Sequence, residues 1–350
     1  MRTLTCASVL ALVAGCAPAA EAPEPLPIWS FEPAMVFPAD HSLTRPEDGV
    51  ALADGRIIVA DQIHGLRLVE TDGTSRPFGD LAGAGYPHHP PDHNGGANGV
   101  SLEPDGAHLL LADVFGGGIY RVEVTSGATE RVYQHRYGVN AAVRDSRGAI
   151  WFTQSTANTP EAGEARLWAS VEVPTPDGAL LRLGWQDGIL AAEAVVVVDS
   201  LLFPNGLAID EPGGHLYLAQ TVGGRVLRFR VDVATGRVSE PSVFAELAVD
   251  NMRLDGEGRL WMVSPLSNEL VVMNTVTGER HSAFLAQTTA QRERVAEFTR
   301  RGEAGESRME LLSPELWAPL PGIITGVILG PGHGPVYLTG LGDALIRLPR

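Results

Sequence analysis

The sequence contains no lysine; all 26 of its basic residues are arginine. That absence removes Schiff-base chemistry and the lysine of a phosphate-cradling P-loop. Cysteine is nearly as scarce. Its two copies, Cys6 and Cys16, both lie at the start of the chain, so the body has neither a disulfide nor a cysteine nucleophile. Positive charge is short overall: 26 basic against 42 acidic residues give a net charge of −16, spread along the chain. No basic stripe is available to neutralise phosphates, which argues against nucleic acid as a partner. With only 19% charged residues and 44% hydrophobic ones, the chain can bury enough apolar surface to order its backbone.

The first residues read as an export signal, with Arg2, an apolar run from Ala7 to Val13 that is too short to span a membrane, and then Val13-Ala14-Gly15-Cys16. The small residues before Cys16 match a bacterial lipobox, in which the cysteine is lipidated and becomes the mature N-terminus. An ordinary signal peptide cut near Ala17 or Ala20 is the alternative, and both imply export. The division expected is a signal and lipobox over 1–16, a Pro- and Ala-rich tether over 17–27, and one folded domain over 28–350. The lipid on Cys16 would be the only membrane contact, facing the periplasm or the cell surface. Calcium outside the cytoplasm is not held at submicromolar levels, so a site of modest calcium affinity suits that compartment.

What the chain has in abundance is repetition, with 40 Gly and 25 Pro marking its turns. One pattern occurs six times: a polar residue, a short apolar strand, an Asp/Gly-rich turn and a second strand rich in Leu, Val, Trp or Tyr. Two copies are Asn98-Gly-Val-Ser-Leu-Glu-Pro-Asp-Gly-Ala-His-Leu-Leu-Leu-Ala-Asp113 and Asn205-Gly-Leu-Ala-Ile-Asp-Glu-Pro-Gly-Gly-His-Leu-Tyr-Leu-Ala-Gln220. Each is a β-hairpin. Several continue into a third strand, such as Gly118-Ile-Tyr-Arg-Val-Glu-Val124. Spacings of 51, 42, 65, 45 and 75 between the leading polar residues fit four-stranded blades, with insertions in the third and fifth. The pattern predicts an all-β, six-bladed β-propeller. Its last copy is one strand short, so residues 28–38 are expected to pair with the blade of Arg347 and cover its edge. Residues 286–312 break the pattern with helical periodicity over Gln291–Arg300. They are expected as a short, solvated helical insertion, with an active-site lid as the alternative.

The leading residues are Glu47, Asn98, Asn140, Asn205, Asp250 and Thr325. First strands line the channel of a propeller, so these six converge. Any one Asn or Asp at a strand start could merely cap a turn. Two carboxylates and three amides facing one channel are different, because amides there need partners and facing carboxylates repel unless a cation or proton separates them. Six to eight oxygens suit one calcium ion in the central channel, whereas zinc would want His or Cys.

At these residues the sequence resembles the calcium-dependent six-bladed propeller hydrolases: the SMP-30/gluconolactonase/LRE-like family, the diisopropylfluorophosphatase type and the paraoxonases. The resemblance covers roughly residues 40–350, and Phe203-Pro-Asn-Gly-Leu-Ala-Ile-Asp210 carries it most strongly. It implies metal ligation by Glu47, Asn140, Asn205 and Asp250. The pairs Glu47-Asp48 and Asp250-Asn251 look paraoxonase-like and add Asn251, and Asn98 joins the set. The chain departs from paraoxonases at the second blade, where Asn98-Gly99 stands in place of their His-Gly, so that histidine base is not carried over. The closing phrase Tyr337–Arg347 also resembles strictosidine-synthase-like propellers, which share the scaffold without this calcium chemistry.

A channel cation with open positions polarises a lactone or ester oxygen for attack, and a small-molecule hydrolase acting as a monomer is the expected function. Asp250 is the first candidate for nucleophile or base and Glu47 the second. The loop Tyr86-Pro-His-His-Pro-Pro-Asp-His93 leads into Asn98 and offers His93, with His88 and His89, as a further base. The other two readings are a non-catalytic, calcium-stabilised surface propeller and a synthase-like enzyme that uses the channel Glu without metal.

Overall fold

Six four-stranded antiparallel sheets surround one axis in the computed structural model, and each sheet is a blade. Their innermost strands are Pro46–Ala51, Ala97–Leu102, Ala142–Arg144, Pro204–Asp210, Met252–Leu254 and Ile324–Leu329, which number blades 1 to 6. The all-β, six-bladed propeller read from the repeat is the architecture found. The structure describes residues 26–349 apart from 90, 91, 94 and 333. The expected export signal, Cys16 and the tether up to residue 25 lie outside the described residues.

The hairpin turn explains why one pattern recurs. In blade 3, Asp145 Oδ1 accepts the backbone N–H groups of Arg147 and Ala149, and Oδ2 accepts the indole N–H of Trp151 at 2.8 Å. Asp255 does the same in blade 5 for Glu257, Arg259 and Trp261. Gly148 and Gly258 close these turns at φ +92° and +73°, a region that side chains disfavour. The acidic turn residue thus satisfies both the turn and the indole of a fully buried tryptophan. The core lies between neighbouring blades. Trp261 and Leu270 of blade 5, for instance, share one cluster with Val327 and Leu338 of blade 6.

The N-terminal segment completes blade 6, where Val36 pairs with Ile346 and Phe37 with Leu345. Only these two residues of the expected 28–38 join the sheet. Pro33 opens a short 3₁₀ turn before them, and Pro38 after them has no N–H to donate. Trp29 instead bridges to Phe284 on the outer strand of blade 5, and its indole donates to the Pro349 carbonyl at 2.6 Å. The segment therefore ties two blades together.

Two helical insertions depart from the ring. Helix α1, Gly163–Glu172, interrupts blade 3 between its second and third strands. Helix α2, Thr289–Ala304, and the single turn α3, Pro314–Trp317, lie between blades 5 and 6. A capping box formed by Thr288 and Gln291 starts α2, and Gly305 in the left-handed region ends it. The sequence signals α2 by its period. It signals only extra length in blade 3, because α1 is short and opens on Gly163 with no side-chain cap.

Candidate active site and metal centre in the channel

The leading residues are stitched to one another around the ring. Gly99 N–H donates to the Asn140 carbonyl at 2.9 Å, Gly206 N–H to that of Asp250 at 3.0 Å, and Asn251 N–H to that of Thr325 at 2.9 Å. Hydroxyls bridge two more junctions, from Thr153 to the Asn205 carbonyl at 2.8 Å and from Thr325 to the Glu47 carbonyl at 2.6 Å. Asp48 closes the last by accepting Val100 N–H at 2.9 Å. The glycines after Asn98 and Asn205 follow from this stitching. A Cβ on Gly99 would sit 2.7 Å from the Asn140 oxygen, and one on Gly206 2.8 Å from the Asp250 oxygen. Blade contact requires the glycine, and the residue before it is left to face the channel.

Glu47, Asn98, Asn140, Asn205, Asp250 and Thr325 all line one cavity of about 910 Å³. Glu47 Oε1 accepts the Asn251 amide at 2.9 Å, and Asn205 hydrogen-bonds Asp250. Glu47 Oε2, Asn205 Oδ1, Asp250 Oδ1 and Asn251 Oδ1 are buried and have no hydrogen-bond partner. Four unsatisfied oxygens from three blades would be costly if nothing met them. Burial pushes the Asp250 carboxyl up to about 8, with Asp48 adding repulsion and the Asn205 hydrogen bond opposing it. Burial also holds Glu47 well above the usual carboxylate range, and Asp250 and Asp48 add to it. This donor set, all oxygen and with two carboxylates that resist ionising together, fits a hard divalent cation.

Asn98 and Thr325 line the cavity but spend their side chains on neighbours. Asn98 Oδ1 accepts from Gln62 at 2.8 Å, and its Nδ2 reaches the Asn140 carbonyl and side-chain oxygens at 3.2 and 3.3 Å. Asn98 thus orients Asn140. Thr325 and Thr339 both donate to the Glu47 carbonyl at 2.6 Å, which fixes the backbone that carries Glu47. Asp48 is occupied too. Both its oxygens take Arg253 Nη2, at 2.7 and 2.6 Å, and the same nitrogen donates to the Val100 carbonyl at 2.7 Å. That pair, a buried carboxylate and a half-buried guanidinium, joins blades 1, 2 and 5 beside Glu47 and Asn251. Gln62 and Thr339 were not anticipated. A signal exists for Thr339, since Trp151-Phe-Thr153 and Tyr337-Leu-Thr339 place a threonine at the same step of their blades.

His93 and His88 face each other across a two-residue ladder, with His89 opposite Asp92, in the loop leading to Asn98. Their side chains fall outside the described ones. A second group of possible ligand atoms, Glu103, Asp105 and His108, lies at the turn joining the first two strands of blade 2. Glu103 there is held by Arg121 at 3.0 Å and Arg144 at 2.8 Å, so its charge is already answered.

Above the polar floor the walls are apolar, with Phe115, Leu167, Trp168, Phe203 and Phe298 prominent. Both insertions contribute. Phe298 and Gly302 of α2 turn inward, while Glu297 pairs with Arg300 on its exposed side. The segment expected chiefly as a solvated insertion therefore has a wet face and a cavity face. Helix α1 meets it across the mouth. Glu172 accepts the backbone N–H groups of Arg308 at 3.1 Å and Met309 at 2.9 Å, and Arg308 Nε donates to the Val171 carbonyl at 3.0 Å.

Residues 116–284 match the family model described as the SMP-30/gluconolactonase/LRE-like region. The resemblance read from the sequence holds over that span, which includes Asn140, Asn205, Asp250 and Asn251 and stops short of Glu47. No curated protein matches the chain significantly. Among solved structures, a gluconolactonase of Xanthomonas campestris is similar at 19% identity, with a TM-score of 0.60 over 88% of this chain and 87% of its own. A calcium-binding protein, regucalcin, from Agrobacterium tumefaciens is 14% identical, with a TM-score of 0.60 over 92% and 95%. A luciferin-regenerating enzyme is 14% identical, with a TM-score of 0.55 over 87% of each chain. At these identities the likeness shows the fold.

Proposed function

We propose that this chain is a calcium-dependent hydrolase of small lactones or esters, exported and held at a membrane through a lipid on Cys16. The observation that carries the catalytic reading is the set of four buried, unpartnered oxygens on Glu47, Asn205, Asp250 and Asn251 at the floor of a roomy apolar cavity. Those four side chains, with Asn140, would hold one calcium ion. Bound there, calcium would polarise the substrate carbonyl and let Glu47 and Asp250 ionise side by side.

The chain's own residues supply the rest. Asp250 is the base: one of its carboxylate oxygens would meet the cation and the other takes the proton of an attacking water, while the Asn205 hydrogen bond holds the buried carboxylate in place. Glu47 is held by two threonine hydroxyls on its backbone and by Asn251 on its carboxylate, so it acts as a fixed anion. Phe115, Trp168, Phe203 and Phe298 exclude bulk water and favour a ligand with an apolar body. The exported location rests on the lipobox sequence.

Hydrolysis of a small γ-lactone and of a chromogenic aryl ester, followed with calcium and then with chelator, tests the reading. Turnover that disappears in chelator and returns with calcium supports it. Turnover indifferent to chelator favours the metal-free, synthase-like alternative, and calcium stabilisation without turnover favours a binding propeller.

A further inference from the structure

We infer that Arg308 recognises a carboxylate on the molecule that fills this cavity. Arg308 is buried and lines the cavity, yet no carboxylate pairs with its guanidinium among the described residues. The nearest acid, Glu172, spends its oxygens on the backbone N–H groups of Arg308 and Met309. The guanidinium itself makes three bonds, all to backbone carbonyls: Nε and Nη2 to Val171 at 3.0 and 2.5 Å, and Nη1 to Phe298 at 3.4 Å. Five N–H donors minus three leaves two, one on each terminal nitrogen.

The surroundings hold the fork in place. Its plane lies over the Phe298 ring at 4.2 Å, and the chain gives up a side chain to admit it, since a Cβ on Gly302 would fall on Nη1. Burial lowers the Arg308 pKa, with the nearby charge of Glu172 opposing it, and this fits a cation that has lost water without a hydrogen-bonded ion of its own. Buried charges are ordinarily paired. Arg45, another cavity arginine, is paired with Glu164 at 3.0 Å and so does not compete.

A carboxylate suits the geometry better than a phosphate. One guanidinium with a free N–H on each terminal nitrogen matches two carboxylate oxygens. A dianion would meet no second free arginine among the described lining residues and would face the acidic floor of Glu47 and Asp250. The substrate class is then an ester or lactone that also carries a carboxylate, with the anion at Arg308 and the reacting carbonyl toward the floor. This class rests on the hydrolase reading; the recognition of a carboxylate does not.

The test is binding of phenylacetate against phenylacetamide to the whole protein at pH 7.5 in chelator, read by quenching of the cavity tryptophans Trp168 and Trp317. Wild type should bind the acid about tenfold to a hundredfold more tightly than the isosteric amide. Arg308→Met should abolish that preference, and Arg308→Lys, which keeps a cation but not the fork, should retain part of it. Equal binding of acid and amide by wild type, or a preference that survives in Arg308→Met, overturns the inference. A preference for the acid in a protein that hydrolyses nothing leaves the inference standing while the hydrolase reading falls.

Discussion

Asp250 and Glu47 approach each other in a pocket that favours neither as an anion, so the consequence of removing one charge is unusual. Asp250→Asn keeps an oxygen for a cation but loses the base and the repulsion. Hydrolysis should fall by about 10²- to 10⁴-fold, while the melting temperature in chelator should rise above that of wild type. His93→Ala should cost far less. Calorimetry with an ester assay on the same samples checks both, and full activity in Asp250→Asn would remove Asp250 from the chemistry. The channel residues were legible in the sequence for a physical reason: each heads the same hairpin, so a period in one dimension fixes a point on the ring. Gln62 was not, since it lies in a turn just past a second strand. Arg308 was not either, because it comes from an insertion that has no counterpart in the other blades.

Blades depend on edges being met, and here the last edge is met by two residues. Phe37 is buried, pairs with Leu345 and packs its ring 5.6 Å from that of Tyr337. Phe37→Ala should cost about 3 kcal/mol, read as a lower urea midpoint with an unchanged slope. A change below about 0.5 kcal/mol would mean that the closing strand contributes register and little energy. The turns offer a second check. Asp145→Ala strands the Trp151 indole and two backbone N–H groups, a loss of about 2–4 kcal/mol. The same change at an exposed Asp such as Asp54 should be nearly silent. Hairpins were readable because their turn residues carry their own hydrogen-bond partners. Helix α1 was hidden because a ten-residue helix held by its contacts across the cavity mouth needs little propensity of its own.

At the scale of the whole molecule, a net charge of −16 and an acidic channel make the fold sensitive to pH in a direction opposite to that of proteins whose paired carboxylates make acid destabilising. Burial pushes the Asp250 carboxyl up to about 8 in the folded channel, far above an aspartate in the unfolded chain, and Glu47 is raised as well. Between those limits the folded chain holds protons that the unfolded chain has released. The slope of unfolding free energy with pH follows unfolded minus folded proton occupancy, which is negative here. Metal-free protein should therefore be most stable near pH 5 and lose stability as pH rises to 8, by about 5 °C in melting temperature. Calcium needs its carboxylates ionised, so its stabilisation should grow over the same window. At one hundred times its dissociation constant it contributes about 2.7 kcal/mol. The two melting curves, one with calcium and one with chelator, should nearly coincide at pH 5 and diverge toward pH 8. Asp250→Asn should flatten the chelator curve, because the amide has no proton to lose. Parallel curves across the whole range would mean that the channel carboxylates are not where calcium acts.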